Sequence, residues 1–275
     1  EWCDYYKADF ALSVNSATSG LFAAIGALGI GYGDEVIVSP YTMTACAVAP
    51  LIYGAIPVFA DVERTTGALD PVSVEERITE RTKAILVVHQ FGIPADMKKL
   101  VRLARKYNLQ IIEDCAQAHG AKIGDEYVGA LGDVGVFSLN VNKTIQTGEG
   151  GVCITNDADI AYRLALIRNH GEAVVGPAGY KDITNILGFN FRLTEIQAAI
   201  AREQLKKVNT LNAHRMRLVE QISNELDEIG FLHILQGRKD CTPTYYICPF
   251  LFDKEIAGVD RKDFIKAMRS EGVMF

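Results

Sequence analysis

The sequence has no apolar run approaching the roughly 18 residues that a membrane-spanning helix needs, so no such span is expected. Its start carries no secretory signal pattern. Positive charge is not in excess: the formal net charge is -6 over 275 residues. The overall field therefore attracts neither nucleic acid nor an anionic membrane. The six cysteines, Cys3, Cys46, Cys115, Cys153, Cys241 and Cys248, form no CxxC pair and match no common metal spacing. They read as reduced, mostly buried thiols of a cytoplasmic protein that holds no metal. Internal repeats and low-complexity stretches are also lacking. The chain opens on Glu1 and stops at Phe275 straight after a helix-like segment, so both ends read as cut from a longer protein.

What is present fits a soluble core. Hydrophobic residues make up 49% and charged residues 23%, enough for one large domain plus part of a second. Strand-like runs at 10–14, 35–39, 56–60, 84–89, 110–113, 134–139 and 151–155 alternate with helix-like segments at 16–28, 43–53, 71–78 and 96–107. The run at 84–89 is apolar without alternation, as in a parallel strand buried on both faces. Repeated strand–helix–strand units predict a mostly parallel sheet in a three-layer α/β/α sandwich. Helices follow at 158–169 and 194–226, the second with Glu203, Lys206 and Lys207 as a solvated face. Strands at 231–235 and 245–252 and a helix at 261–271 predict a smaller α+β unit. The division falls as 1–215 for the large domain and 216–275 for part of the small one.

Ligands of open α/β sheets bind beyond the carboxyl ends of the strands, and four strand ends carry polar residues. The run from Asn15 to Gly20, with Ser16, Thr18 and Ser19, opens a helix. Its free N–H groups and hydroxyls suit a phosphate, and an ordinary helix cap explains them equally. Glu113 and Asp114 end a strand of isoleucines. A buried carboxylate there needs a cationic partner such as a protonated pyridine nitrogen, or else it caps the next helix. Lys143 follows a strand and precedes the glycine-rich turn from Thr147 to Gly151. Burial would favour its neutral, nucleophilic amine, whereas a lone lysine is ordinarily a surface residue. His89-Gln90-Phe91-Gly92, with Pro94 and Asp96, reads as a structural turn in which the His89 ring is free to make a contact. Gly29, Gly31 and Gly33 follow a helix and precede a strand, the reverse of a dinucleotide fingerprint, and read as a turn.

Seven stretches in order, SATSGLFAAIGALGIGYGDEVIVSPYT, PVFADV, VVHQFGIPADM, IIEDCAQAHGA, GDVGVFSLNVNKTIQTGEGG, IRNHG and GFNFRLTEIQAAI, resemble the DegT/DnrJ/EryC1/StrS family of sugar aminotransferases. That family belongs to the fold-type-I, aspartate aminotransferase-like enzymes, which use pyridoxal 5'-phosphate. The resemblance implies that Lys143 is the Schiff-base lysine and proton shuttle. It implies that Asp114 partners the pyridine nitrogen, that Gln117 lies beside the phenolic oxygen and that Tyr41 stacks on the ring. Ala17, Thr18 and Ser138 match phosphate-binding positions. Asn190 matches an asparagine that reaches the neighbouring subunit's phosphate, which implies a homodimer with shared active sites. Arg192 is placed to dock the amino donor's carboxylate, and His170 to lie near the substrate.

The implied reaction moves an amino group from glutamate or glutamine to a keto-sugar, in particular a nucleotide-linked 6-deoxy-ketohexose, in polysaccharide or secondary-metabolite biosynthesis. A cyclitol ketone is the alternative acceptor, and a non-catalytic regulatory relative is the alternative class. A dehydratase of the same family would carry histidine in place of Lys143. A nicotinamide dehydrogenase would need glycines where Ala17 and Thr18 stand. Relative to the family pattern, Val141 and Asn142 replace an aromatic or histidine before the lysine, and further N- and C-terminal segments are expected.

Overall fold

A computed structural model describes residues 1–171, 186–226 and 228–273. Helix α1 (Trp2–Tyr6) precedes strand β1 (Phe10–Val14), after which come α2 (Ala17–Ala27), β2 (Glu35–Val38), α3 (Ala45–Leu51), β3 (Ile56–Phe59) and α4 (Pro71–Glu76). The chain continues through β4 (Thr82–Val88), α5 (Met97–Tyr107), β5 (Gln110–Asp114), the short β6 (Lys122–Ile123) and β7 (Glu126–Tyr127), β8 (Val134–Ser138) and β9 (Gly151–Thr155). Seven strands form one sheet in the order β1-β9-β8-β5-β4-β2-β3. The pairs from β3 to β8 are parallel, and β9 runs antiparallel to both of its neighbours. This is the mostly parallel α/β/α sandwich that the alternating pattern predicts, with one reversed strand that the pattern does not reveal.

The continuous apolar strands divide their side chains between two cores, because successive residues face opposite sides of a sheet. Val36, Leu86, Ile112 and Val136 pack beneath α2, α3 and α6 (Ala158–Arg168). Ile37, Ile85, Val87, Ile111 and Phe137 pack against α1, α4, α5 and α7 (Glu195–Leu205). Sequence signals set the helix starts. Ser16, Asp70, Asp96, Asp157 and Thr194 each accept a backbone N–H in the first turn of the helix that follows. The turn at Gly29 and Gly33, both with positive φ, links α2 to β2.

Two expectations need correction. The helix predicted over 194–226 is two helices, α7 and α8 (Val208–Leu226), broken at Lys206 and Lys207. The apolar period continues through the break, which is why periodicity alone runs the two together. The strand predicted over 245–252 is only β12 (Phe250–Phe252), paired with β10 (Leu232–Ile234). Upstream, β11 (Cys241–Thr242) pairs with β6, and Tyr245 turns the chain in the left-handed region with φ 45°. Helices α9 (Lys254–Ala257) and α10 (Arg261–Ser270) complete the described chain, with Phe252 and Phe264 against Phe231. Of the cysteines, Cys46, Cys115 and Cys153 are buried, whereas Cys3, Cys241 and Cys248 are only partly so; none is bridged. No described helix is long and apolar enough to cross a membrane.

The strongest buried polar anchor is Glu113. Its carboxylate accepts from His89 Nε2 at 2.9 Å and from the N–H groups of Gly129, Leu131 and Gly132 at 2.8, 2.8 and 2.6 Å. His89 Nδ1 accepts from the Ala95 N–H at 3.1 Å, which places the donated proton on Nε2. Cys115 lies close to this pair, yet the four lone-pair sites of Glu113 are all taken, so the group is a hydrogen-bond network in character. Glu113→Ala would strand four donors, of which those of His89 and Gly129 are buried and those of Leu131 and Gly132 partly so. It is expected to cost roughly 3–5 kcal/mol, read as a lower urea midpoint with an unchanged slope.

Candidate functional site at the carboxyl edge of the sheet

Strands β1, β2, β4, β5 and β8 point the same way, so Val14, Val38, Val88, Asp114 and Ser138 end on one edge. Gly151 opens β9 at that same edge, opposite both Val14 and Ser138. The N-terminus of α2 arrives there. Ser16 Oγ accepts from the Ser19 N–H at 3.0 Å, which leaves the first-turn N–H groups of Ala17 and Thr18 without helical acceptors. A Cβ at Gly151 would lie 2.8 Å from the Ala17 nitrogen, so only glycine lets β9 start this close to the helix.

The alternation of β5 separates its two acids. Glu113 goes to the His89 network, and Asp114 goes to the α2–α3 face with Ile112. Asp114 is 6% exposed. Its Oδ2 accepts from the Cys46 thiol at 3.1 Å and its Oδ1 from the Ala116 N–H at 2.9 Å. No helix begins after Asp114, so the capping alternative does not apply. Burial, then the Asp114 charge, pushes the Cys46 thiol well up, which keeps it a neutral donor. Gln117 Oε1 accepts from the Phe91 N–H at 2.6 Å, so its carbonyl is committed to the turn at 90–92. Tyr41 is 54% exposed beyond β2, its ring edge-on to Phe91 at 5.9 Å. Ser138 is buried, and its Oγ accepts from the Asn140 N–H at 3.3 Å.

Lys143 sits in a loop tied across its base. The Leu139 N–H reaches the Gly150 carbonyl, the Thr147 N–H the Leu139 carbonyl, and the Val141 N–H the Gly148 carbonyl, all within 2.7–2.8 Å. The Lys143 N–H donates to the Asn140 carbonyl at 2.9 Å. Next to it, Thr144 Oγ1 accepts from Arg215 of α8 at 2.5 Å. Burial lowers the Lys143 pKa, and the Asp114 carboxylate partly opposes that shift. Its Nζ lies 4.5 Å from the centre of the Tyr246 ring.

Asn190, Arg192 and His170 gather at another part of the edge. Asn190 bridges Asn169, and its carbonyl accepts from Asn15 Nδ2 at 3.3 Å. Arg192 Nη1 donates to Asn169 Oδ1 at 2.6 Å. His170 is exposed in a left-handed backbone, φ 63°. Of these three only Asn190 meets the residue after β1; Arg192 reaches Asn190 through Asn169, the His170 N–H donates to the Phe189 carbonyl, and no described hydrogen bond joins any of them to Lys143.

Three site residues escape sequence reasoning: Cys46, Tyr246 and His119. Nothing in the sequence pairs Cys46 with Asp114, and Tyr246 falls in a stretch that reads as a strand. His119 is 1% exposed and packs on Phe137 at 5.7 Å. Neither ring nitrogen has a hydrogen-bond partner of good geometry among the described residues, although the Ser138 backbone lies near enough to favour the charged ring. Burial first, then the charges of Lys143 and Arg215, pushes its pKa from 6.5 down to about 3.

A sheet edge that collects a carboxylate, an open helix N-terminus and a desolvated lysine defines the fold-type-I, aspartate aminotransferase-like architecture. The chain belongs to the DegT/DnrJ/EryC1/StrS aminotransferase family, whose model matches residues 1–275. It is 39% identical over 235 residues to the L-glutamine:scyllo-inosose aminotransferase of Streptomyces griseus, covering 83% of this chain and 55% of that protein. It is 37% identical over 242 residues to the GDP-perosamine synthase of Escherichia coli O157:H7, covering 88% of this chain and 65% of that protein. The chain thus spans less than two thirds of either relative. The solved aminotransferase of Psychrobacter cryohalolentis superposes with a TM-score of 0.92 at 34% identity, covering 99% of this chain and 73% of that one. The solved E. coli GDP-4-keto-6-deoxy-D-mannose-3-dehydratase with bound hydrated PLP superposes with a TM-score of 0.90 at 26% identity, covering 99% of this chain and 74% of that one.

A histidine that stays neutral when folded but protonates when unfolded costs stability as pH falls. His119 should therefore make the protein lose stability between pH 6.5 and about 3. His119→Gln is expected to flatten that part of the profile of unfolding free energy against pH; parallel profiles would refute a buried neutral ring.

Proposed function

We propose that this chain is the cofactor-holding part of a pyridoxal-phosphate aminotransferase that moves an amino group from glutamate or glutamine to a keto-sugar. The observation that carries the reading is Lys143: a lysine of depressed pKa, within electrostatic reach of Asp114, at the carboxyl edge of the sheet. The donor set suits the cofactor. Ala17 and Thr18 N–H groups at the start of α2, with the Thr18 and Ser138 hydroxyls, would hold the phosphate dianion. Cys46 and Ala116 hold the Asp114 carboxylate, which would partner a pyridinium N–H. Tyr41 offers an exposed ring face, and Gln117 an amide donor whose carbonyl is already used.

Pyridoxal phosphate, when bound, supplies an aldehyde and a ring that accepts electrons. The protein's part is positional and protonic. Lys143, whose pKa burial lowers, would hold the cofactor's aldehyde through Nζ and would carry the proton that the transfer moves. Asp114 would supply the negative charge that keeps the ring nitrogen protonated. Arg192 receives the donor's carboxylate, and His170 stands near the acceptor. The acceptor is a nucleotide-linked 6-deoxy-ketohexose, in keeping with the likeness to GDP-perosamine synthase. A cyclitol ketone is the second reading, favoured by the likeness to the scyllo-inosose enzyme.

The enzyme acts as a homodimer in which Asn190, exposed here, completes the partner's phosphate site. It works in the cytoplasm, in keeping with six unbridged cysteines. Residues 1–215 form the large domain and 216–275 part of the small one.

Purified protein loaded with pyridoxal phosphate is expected to show a visible-edge absorbance band that Lys143→Ala abolishes. A wild-type chain that never takes up the cofactor would sink the reading. Asn190→Ala should weaken cofactor retention; sedimentation of a stable monomer with full cofactor would defeat the shared-site dimer. A panel of nucleotide keto-sugars and cyclitol ketones, each with glutamate and glutamine, separates the two acceptors.

A further inference from the structure

Lys143 has a neighbour from outside the sheet, and the chain is built to deliver it. The segment at 238–246 is laced to the large body along its length. Arg238 pairs with Glu63 and lies 3.5 Å from Asp96. The Gly124 N–H donates to the Asp240 carbonyl at 2.7 Å, and Cys241 and Thr242 pair with Ile123 and Lys122. The Thr244 N–H donates to the Gly92 carbonyl at 2.9 Å. Gly92 has φ 86°, and a Cβ there would lie 2.8 Å from Thr244 Oγ1 and 2.9 Å from the Tyr245 nitrogen, so this seating requires a glycine. Tyr245 then packs against Phe91, Ile93 and Leu235, and its left-handed backbone turns the chain. The residue carried past that turn is Tyr246, whose ring covers Lys143 Nζ at 4.5 Å.

We propose that Tyr246 is a positioning residue for Lys143, its ring face holding the amine at the site and shielding it from water. This rests on the functional reading of Lys143 given above. The ring of a tyrosine attracts an ammonium through its quadrupole. The other charged or titratable groups around Lys143 are Asp114, which favours the ammonium, His119, kept neutral by burial and then by the Lys143 charge, and Arg215, bonded to the adjacent Thr144. Tyr246, unlike Asp114 and Arg215, contributes no charge. It fixes where the amine sits and how much of its burial persists.

The test compares Tyr246→Phe, which keeps the ring face, with Tyr246→Leu, which keeps apolar cover and removes the face. Competitive acetylation of Lys143 in the cofactor-free full chain across pH, read by peptide mass spectrometry, reports the amine's own titration. Tyr246→Phe should titrate as wild type. Tyr246→Leu should raise the acid dissociation constant of Lys143 about threefold to tenfold, from the loss of a cation–π contact. A Tyr246→Leu titration that matches wild type or moves the other way, or a Tyr246→Phe shift as large as that of Tyr246→Leu, would overturn the proposal. Because the labelling uses no cofactor, a chain that behaves as expected here yet never takes up pyridoxal phosphate defeats only the functional reading.

Discussion

A strand shows successive residues to opposite faces, and β5 ends in two carboxylates. That constraint organises the site. Glu113 is turned into the core with Ile111, where His89 and three loop amides hold it, and this pins the segment at 129–132 beneath the sheet. Asp114 is turned to the other face, where α2 and α3 meet and Cys46 supplies a neutral donor. A one-residue slip of β5 would exchange the two acids and leave both without partners. The structural acid and the acid proposed to face the cofactor are thus adjacent in sequence and separated by the thickness of a sheet.

Lys143 depends on the same frame. Ser138 ends β8 beside β5, and the loop that carries the lysine returns through β9, whose first residue must be glycine to start against α2. Both ends of the loop are therefore anchored on strands. The remaining freedom is taken up by the Asn140 turn and by Arg215 on Thr144. Burial of the amine follows from this geometry, and the depressed pKa follows from the burial.

Much of the sheet is legible in the sequence because its strands are short, apolar and separated by capped helices. Asp96 and Ser16 mark helix starts by chemistry, and the structure uses both of them in that way. The reversal of β9 is not legible, since an apolar run carries no direction. The break at Lys206 and Lys207 is hidden by a period that continues across it. At the edge, the pair Glu113 and Asp114 and the lysine Lys143 can be picked out because they stand at or just past a strand end, whereas Ser138 is picked out by the family resemblance. Cys46, His119 and Tyr246 cannot, because what places them is tertiary: a thiol meets a carboxylate 68 positions away, a buried ring packs on Phe137, and a strap seats on Gly92. His89 has the structural role its turn suggests, although its partner Glu113 is not legible in the sequence.

Helix α8 belongs to both halves of the molecule. Its first two turns carry Asn209, which accepts from the Tyr5 hydroxyl, Asn212, which donates to the His119 carbonyl, and Arg215, which grips Thr144. Its last turns, through Ile222 and Leu226, line an apolar pocket with Leu232, Phe252 and Phe264. A division drawn at residue 215 runs through the middle of this helix. The two units share one continuous ladder of backbone hydrogen bonds about 28 Å long. Melting the small unit would fray the helix that steadies the lysine loop, so the two are thermodynamically coupled and the first local opening of the site is set as much by the packing of Phe252 and Phe264 as by the sheet itself.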